Sequence, residues 1–162
     1  MVLCCIDNIL DENVYLELKN MFHINHDQFE KYTEHPYRTG LKIENQEIIS
    51  IFNTKVKLKI LDALHLDNSL EHKLRVSIIY LCMDDVHFEI PYHYDDKYKY
   101  VSCVLYFGEG FSGTVFLKEY MKKELVEPRE NRLVCFPSQD HIHCVPQSSK
   151  KRYTLQFHYT FA

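Results

Sequence analysis

RYTLQFHYTF, residues 152–161, alternates without a break. Tyr153, Leu155, Phe157, Tyr159 and Phe161 fall on one face, and Arg152, Thr154, Gln156, His158 and Thr160 on the other, the period of two that marks a β-strand. The apolar face suits a core. The polar face is costly to bury unless its groups find partners, so it either meets water or lines a polar cavity.

Upstream of this strand, from residue 75 onward, lie six more short β-rich runs: RVSIIYLC, VHFEIPY, KYVSCVLYF, GTVFLK, RLVCF and HIHCVP. Turn-forming clusters separate them, including Asp84-Asp85, GEGFSG at 108–113 and PSQD at 137–140. The charged span Lys118 to Asn131, with Pro128, reads as a solvated loop or hairpin insertion. Seven strands in this order predict an antiparallel sandwich or small barrel.

The first 74 residues have a different character. Asp11 is placed to cap a helix with Val14, Leu18, Met21 and Phe22 on one face, and Asn45 a second with Ile48, Phe52, Val56, Ile60 and Leu64. Residues 55–60 (KVKLKI) also alternate with period two, so a strand competes there; the longer four-residue spacing favours helix. The expectation is a mainly β fold, with helical support over 1–74 and a β core over 75–162.

Length and composition bound the function. The 162 residues fit one domain. A net charge of −4 does not resemble the basic footprint of a nucleic-acid binder. The start MVLCCIDNILDE lacks a basic region followed by a long apolar stretch, and the longest apolar candidate, Val76 to Met83, is strand-sized; a cytoplasmic protein without a membrane span is expected. Six cysteines show no C-x-x-C spacing and sit mostly in apolar runs, so they read as buried thiols in a reducing compartment, not a disulfide framework. Ten histidines lean toward metal or acid–base chemistry.

His93 and Asp95 stand two apart in PYHYDD, so an extended backbone sends both side chains to the same side, as two ligands of one metal require. Asp96 would point the other way. HIHCVP offers His141 and His143, again on a shared face, as a third ligand. Two histidines and one carboxylate form the facial set that binds non-haem Fe(II) and leaves positions open. Zinc or manganese with a bound water is the competing metal chemistry.

Arg152, nine residues after His143, adds a cation on the polar face of the last strand. Together, VSIIYLC, HYD, YVSCVLYF, RLVCFPS, HCVP and RYTLQFHY, in this order, resemble the 2-oxoglutarate/Fe(II)-dependent dioxygenases, in particular their prolyl 4-hydroxylase-like branch. The resemblance implies a double-stranded β-helix, or jelly-roll, with the N-terminal helices packed on one sheet. It implies iron ligation by His93, Asp95 and His143, the last chosen over His141 because the family's His-x-Val is met by His143-Cys144-Val145. It also implies that Arg152 pairs with the distal carboxylate of 2-oxoglutarate, with help from the Tyr106 hydroxyl.

The activity implied is hydroxylation of a prolyl, peptidyl or amino-acid substrate, using Fe(II), 2-oxoglutarate and O2, with ascorbate as reductant and release of succinate and CO2. The partner is then a peptide, protein or small-molecule substrate. Nucleic acid is disfavoured, since base-demethylating relatives carry a second arginine where this chain has His158. Asp95 is retained where halogenating relatives have a small residue, and the family's Gly-Gly segment is reduced to Ser112-Gly113. His158 and Gln156 share the Arg152 face as candidate supporting residues. Residues 92–100 (YHYDDKYKY) offer aromatic and acidic contacts at the site mouth. A non-catalytic jelly-roll that binds metal as a sensor is the alternative, and it leaves Arg152 and Tyr106 without a purpose.

Overall fold

The computed structural model describes residues 3–162. Strand β1 (Cys4–Ile6) is followed by helix α1 (Glu12–Ile24), β2 (Glu30–Lys31), β3 (Arg38–Lys42) and the helices α2 (Gln46–Ile51) and α3 (Lys57–Ala63). Then come β4 (Leu74–Asp84), β5 (Ile90–His93), β6 (Val101–Tyr106), β7 (Thr114–Leu117), β8 (Lys123–Val126), β9 (Arg132–Pro137), β10 (Ile142–Val145) and β11 (Arg152–Phe161). They form two antiparallel sheets, a seven-stranded one in the order β1-β9-β6-β11-β4-β3-β2 and a four-stranded one in the order β5-β10-β7-β8. This is the mainly β jelly-roll with N-terminal helices that the sequence predicts. No helix among the described residues is long and apolar enough to cross a membrane.

The N-terminal region is more than helical support. It contributes β1, β2 and β3 to the large sheet, strands too short or too polar to carry a visible alternation. Asp11 stands at the start of α1 but its side chain makes no capping bond. Leu18 and Phe22 are buried, with Tyr15 in addition, while Val14 and Met21 pack at the margin of the core.

Between α2 and α3 the chain winds as a π-helix over Phe52–Val56. Ile48, Phe52, Val56, Ile60 and Leu64 recur every fourth residue and all are buried. In a straight α-helix each such step overshoots a full turn by about 40°, so the four steps would carry the row off one face. The wider π turn absorbs the drift and keeps the row against the sheet. Asn45 caps α2 through bonds accepted from the Glu47 and Ile48 amides. Helix thus prevails over the alternating KVKLKI reading, and the cost of Lys57 in the core is met by its ammonium donating to the Glu71 and Leu74 carbonyls at 2.6 and 3.1 Å.

Helices and outer sheet face share one large apolar core that includes Leu18, Phe52, Leu81, Leu105, Leu133 and Leu155. A smaller cluster, Tyr106, Phe111, Phe116, Val126, Val134 and Phe136, fills one end of the space between the sheets. The span expected as a loop or hairpin insertion is a hairpin, with β8 paired to β7. Gly113 lies where the backbones crowd: a Cβ there would stand 1.8 Å from the Val126 carbonyl oxygen. Gly113→Ala should therefore destabilise the protein by at least about 3 kcal/mol, read as a fall in the midpoint of urea unfolding; a change under about 1 kcal/mol would contradict this packing.

Candidate metal centre

His93 ends β5 and His143 lies directly opposite it on β10. Asp95 follows two residues after His93, on the same side. The three offer ligand atoms that all lie within 4.8 Å of one another. His93 Nε2 is 3.8 Å from Asp95 Oδ1, His143 Nε2 is 4.0 Å from Asp95 Oδ2, and the two imidazole centres are 4.4 Å apart.

Both rings present the same nitrogen for a reason in the backbone. His93 Nδ1 donates to the Pro91 carbonyl at 2.9 Å and His143 Nδ1 to the His141 carbonyl at 3.2 Å. A carbonyl can only accept, so Nδ1 carries a proton and Nε2 is the nitrogen left to face a metal. Burial lowers the His143 pKa against the raising effect of Asp95, which keeps the ring neutral. Burial would raise the Asp95 pKa, but Lys99, the Ser102 hydroxyl and the two histidines more than offset it, so the carboxylate is held below its ordinary value. Phe136 and Phe116 pack 4.8 and 5.6 Å from the His143 ring, shielding it from behind. Two imidazole nitrogens and one carboxylate oxygen suit a divalent transition metal.

A cavity of about 550 Å³ opens over this cluster, a size that suits a small molecule. Its far wall is the inner face of the large sheet, with Arg38, Arg152, Gln156 and His158. The polar face of RYTLQFHYTF thus lines a cavity. Arg152 is only 1% exposed. Its Nη1 donates to Asp84 Oδ2 at 3.0 Å, whereas its Nε and Nη2 are buried with no hydrogen-bond partner. Such groups cost free energy unless an acceptor meets them, and side by side they form the fork that grips a carboxylate. The Tyr106 ring lies 5.7 Å from the guanidinium, and its hydroxyl is 2.8 Å from Thr114 Oγ1. Burial raises the Tyr106 pKa despite Arg152, so the phenol stays protonated and can donate.

His93, Asp95 and His143 are thus brought together, with Arg152 across the cavity and the buried Tyr106 beside Arg152. His141 is outside the cluster, its Nε2 buried without a partner and its ring 6.0 Å from both Phe116 and Phe136. Two residues escaped the sequence reading. Asp84, taken as half of a turn, is the last residue of β4 and only 1% exposed. Arg38, in a stretch that looks like polar loop, belongs to β3 and binds Asp84 through Nε and Nη2 at 2.6 and 2.9 Å. The one available signal was alternation: Cys82 and Asp84 continue the inner face of β4.

No family model and no curated protein matches the sequence. Solved structures do match in shape. A Pseudomonas putida prolyl-4-hydroxylase superposes with a TM-score of 0.76 at 17% identity, over 98% of this chain and 91% of that one. A 2OG-Fe(II) oxygenase family oxidoreductase from Burkholderia pseudomallei gives 0.77 at 11% identity, over 98% and 84%. A Trichoplax adhaerens prolyl hydroxylase, in complex with a hypoxia-inducible-factor peptide fragment, gives 0.74 at 14%, over 98% and 83%. The fold is that of the 2-oxoglutarate/Fe(II) oxygenases, and prolyl hydroxylases stand among its structural neighbours.

Asp84→Leu would leave two buried guanidiniums facing each other without a counter-charge and should cost about 3–5 kcal/mol of unfolding free energy. Adding Arg38→Met should restore at least half of that loss in urea titration. A double variant less stable than Asp84→Leu would contradict the charge pairing described.

Proposed function

We propose that the chain, acting as one domain over 1–162, is a 2-oxoglutarate- and Fe(II)-dependent dioxygenase that hydroxylates a prolyl, peptidyl or amino-acid substrate. The observation that carries this reading is the free, buried Nε/Nη2 edge of Arg152 across a cavity from a two-histidine, one-carboxylate cluster. A site for metal alone has no use for a buried cation with unmet donors.

His93 and His143 hold Fe(II) through Nε2 and Asp95 through its carboxylate, leaving positions for co-substrate and O2. Arg152 takes the distal carboxylate of 2-oxoglutarate through its free fork, and the Tyr106 hydroxyl adds a further donor. The bound iron and co-substrate supply the oxidising chemistry, with O2 as oxidant, succinate and CO2 as products and ascorbate as reductant. The protein positions and shields. Backbone carbonyls fix the imidazole tautomers, Phe116 and Phe136 keep water from the rear of His143, and Arg152 sets how the co-substrate lies.

The substrate enters from the cavity side lined by Tyr94, Asp96, Tyr98 and Lys99. Aromatic rings with mixed charges at the rim suit a peptide, in line with the peptide bound by the Trichoplax neighbour. The free thiols of all six cysteines suit a reducing, cytoplasmic setting.

Succinate formation from 2-oxoglutarate, with Fe(II), O2 and a panel of peptides and free amino acids, tests the proposal. Wild type should form succinate and +16 products, and His143→Ala should form neither. Arg152→Ala should raise the 2-oxoglutarate concentration required by about 10–100-fold while leaving metal affinity near normal. Wild type that consumes no 2-oxoglutarate would sink the proposal, and loss of metal with Arg152→Ala would make that residue structural.

A further inference from the structure

Arg38, Asp84 and Arg152 are direct register partners on three adjacent strands, β3, β4 and β11. Arg38 has all three nitrogens engaged: Nε and Nη2 on the two oxygens of Asp84, and Nη1 on Gln156 Oε1 at 3.1 Å. The Phe88 ring stacks 4.1 Å from its guanidinium carbon. The Nε/Nη2 edge of Arg38 is closed to a ligand. Arg152, by contrast, is tied only through Nη1.

The order of these bonds matters. An aspartate facing a single arginine closes onto its fork with both oxygens, and such a pair would neutralise Arg152 and cover the edge that a ligand needs. Here the fork of Arg38 already occupies both oxygens of Asp84, and Asp84 accepts from Arg152 a single bond, donated by Nη1. Two guanidiniums and one carboxylate carry a net charge of +1, the complement of one carboxylate.

We infer that Arg38 and Asp84 are positioning residues for the co-substrate: Arg38 holds Asp84 so that it orients Arg152 by one nitrogen only, leaving the Nε/Nη2 edge and one positive charge for the distal carboxylate. The inference rests on the proposed function. It implies that Arg38, which never touches the co-substrate, governs its affinity. In Arg38→Met, Asp84 is released to close onto Arg152, and the charge falls to zero. In Arg38→Met/Asp84→Leu the charge returns to +1 and the edge is uncovered, although no longer aimed.

Calorimetric titration of 2-oxoglutarate into Mn(II)-loaded protein tests this. Arg38→Met should weaken binding by about 10–100-fold relative to wild type. The double variant should bind at least about threefold more tightly than Arg38→Met, with Mn(II) affinity unchanged in both. A merely structural role gives the reverse order, since the double variant loses more packing. Arg38→Met binding as wild type does, or the double variant binding no better than the single, overturns the inference alone. Wild type that does not bind 2-oxoglutarate overturns the proposed function and this inference with it. A measurement on wild type guards against variants that fail to fold. In Zn(II)-loaded protein, the side-chain Nε–H resonance of Arg152 should move on adding 2-oxoglutarate, and that of Arg38 should stay. Movement of Arg38, or stillness of Arg152, overturns the inference.

Discussion

Strand β11 lies between β4 and β6 with its apolar face against the helices. Its other face carries Arg152, Thr154, Gln156 and His158, and burying such a row in a sheet interior demands partners for each group. Part of the demand is met within the sheet, through Asp84, which accepts from Arg152, and through the bond that Gln156 Oε1 accepts from Arg38. The part left unmet falls on the Nε/Nη2 edge of Arg152 and on Nε2 of His158. The rest of the site is arranged around that imbalance: β5, β10 and the turn after β5 bring a pair of imidazoles and a carboxylate to the opposite wall, and the cavity lies between.

Function is therefore divided between the sheets. Metal-ligand geometry belongs to the β5–β10 pair and to carbonyls of their own backbone, which hold both rings by Nδ1. The edge proposed to bind a carboxylate belongs to the β3–β4–β11 row of the large sheet. Each half is stiffened by hydrogen bonds that do not depend on the other, which suits a site where two different species must be held at a fixed separation.

Much of this was legible in the chain, and for physical reasons. Strict alternation over 152–161 reports a strand with one apolar face against a core, leaving its polar face to meet water or a cavity, and His-x-Asp in extended backbone must put both groups on one side. The four-residue ladder from Ile48 to Leu64 gave the right buried face even through a π turn that no pattern announces. What stayed hidden depends on pairing between distant segments. Asp84 beside Asp85 looks like a turn because local chemistry favours it, and only the cross-strand placement of Arg38 and Arg152 makes a buried aspartate tolerable. Strands of three, two and five residues near the N-terminus are too short to show a period.

The central place of β11 also bears on the order in which the molecule can be assembled. Its neighbours β4 and β6 do not pair with each other; each pairs with β11 on one side, and with β3 or β9 on the other. During synthesis the large sheet must therefore wait as two separate pieces, β2-β3-β4 and β1-β9-β6, until residues 152–161 emerge. Two long open edges stand exposed in that interval, which is where intermolecular strand pairing begins. Closing the gap joins the halves and, in the same event, delivers Arg152 to an Asp84 already 68 residues behind it in the chain. The pairing of Arg152 with Asp84 and the last step of sheet closure are one event, so an unfinished molecule lacks the edge proposed to hold the co-substrate.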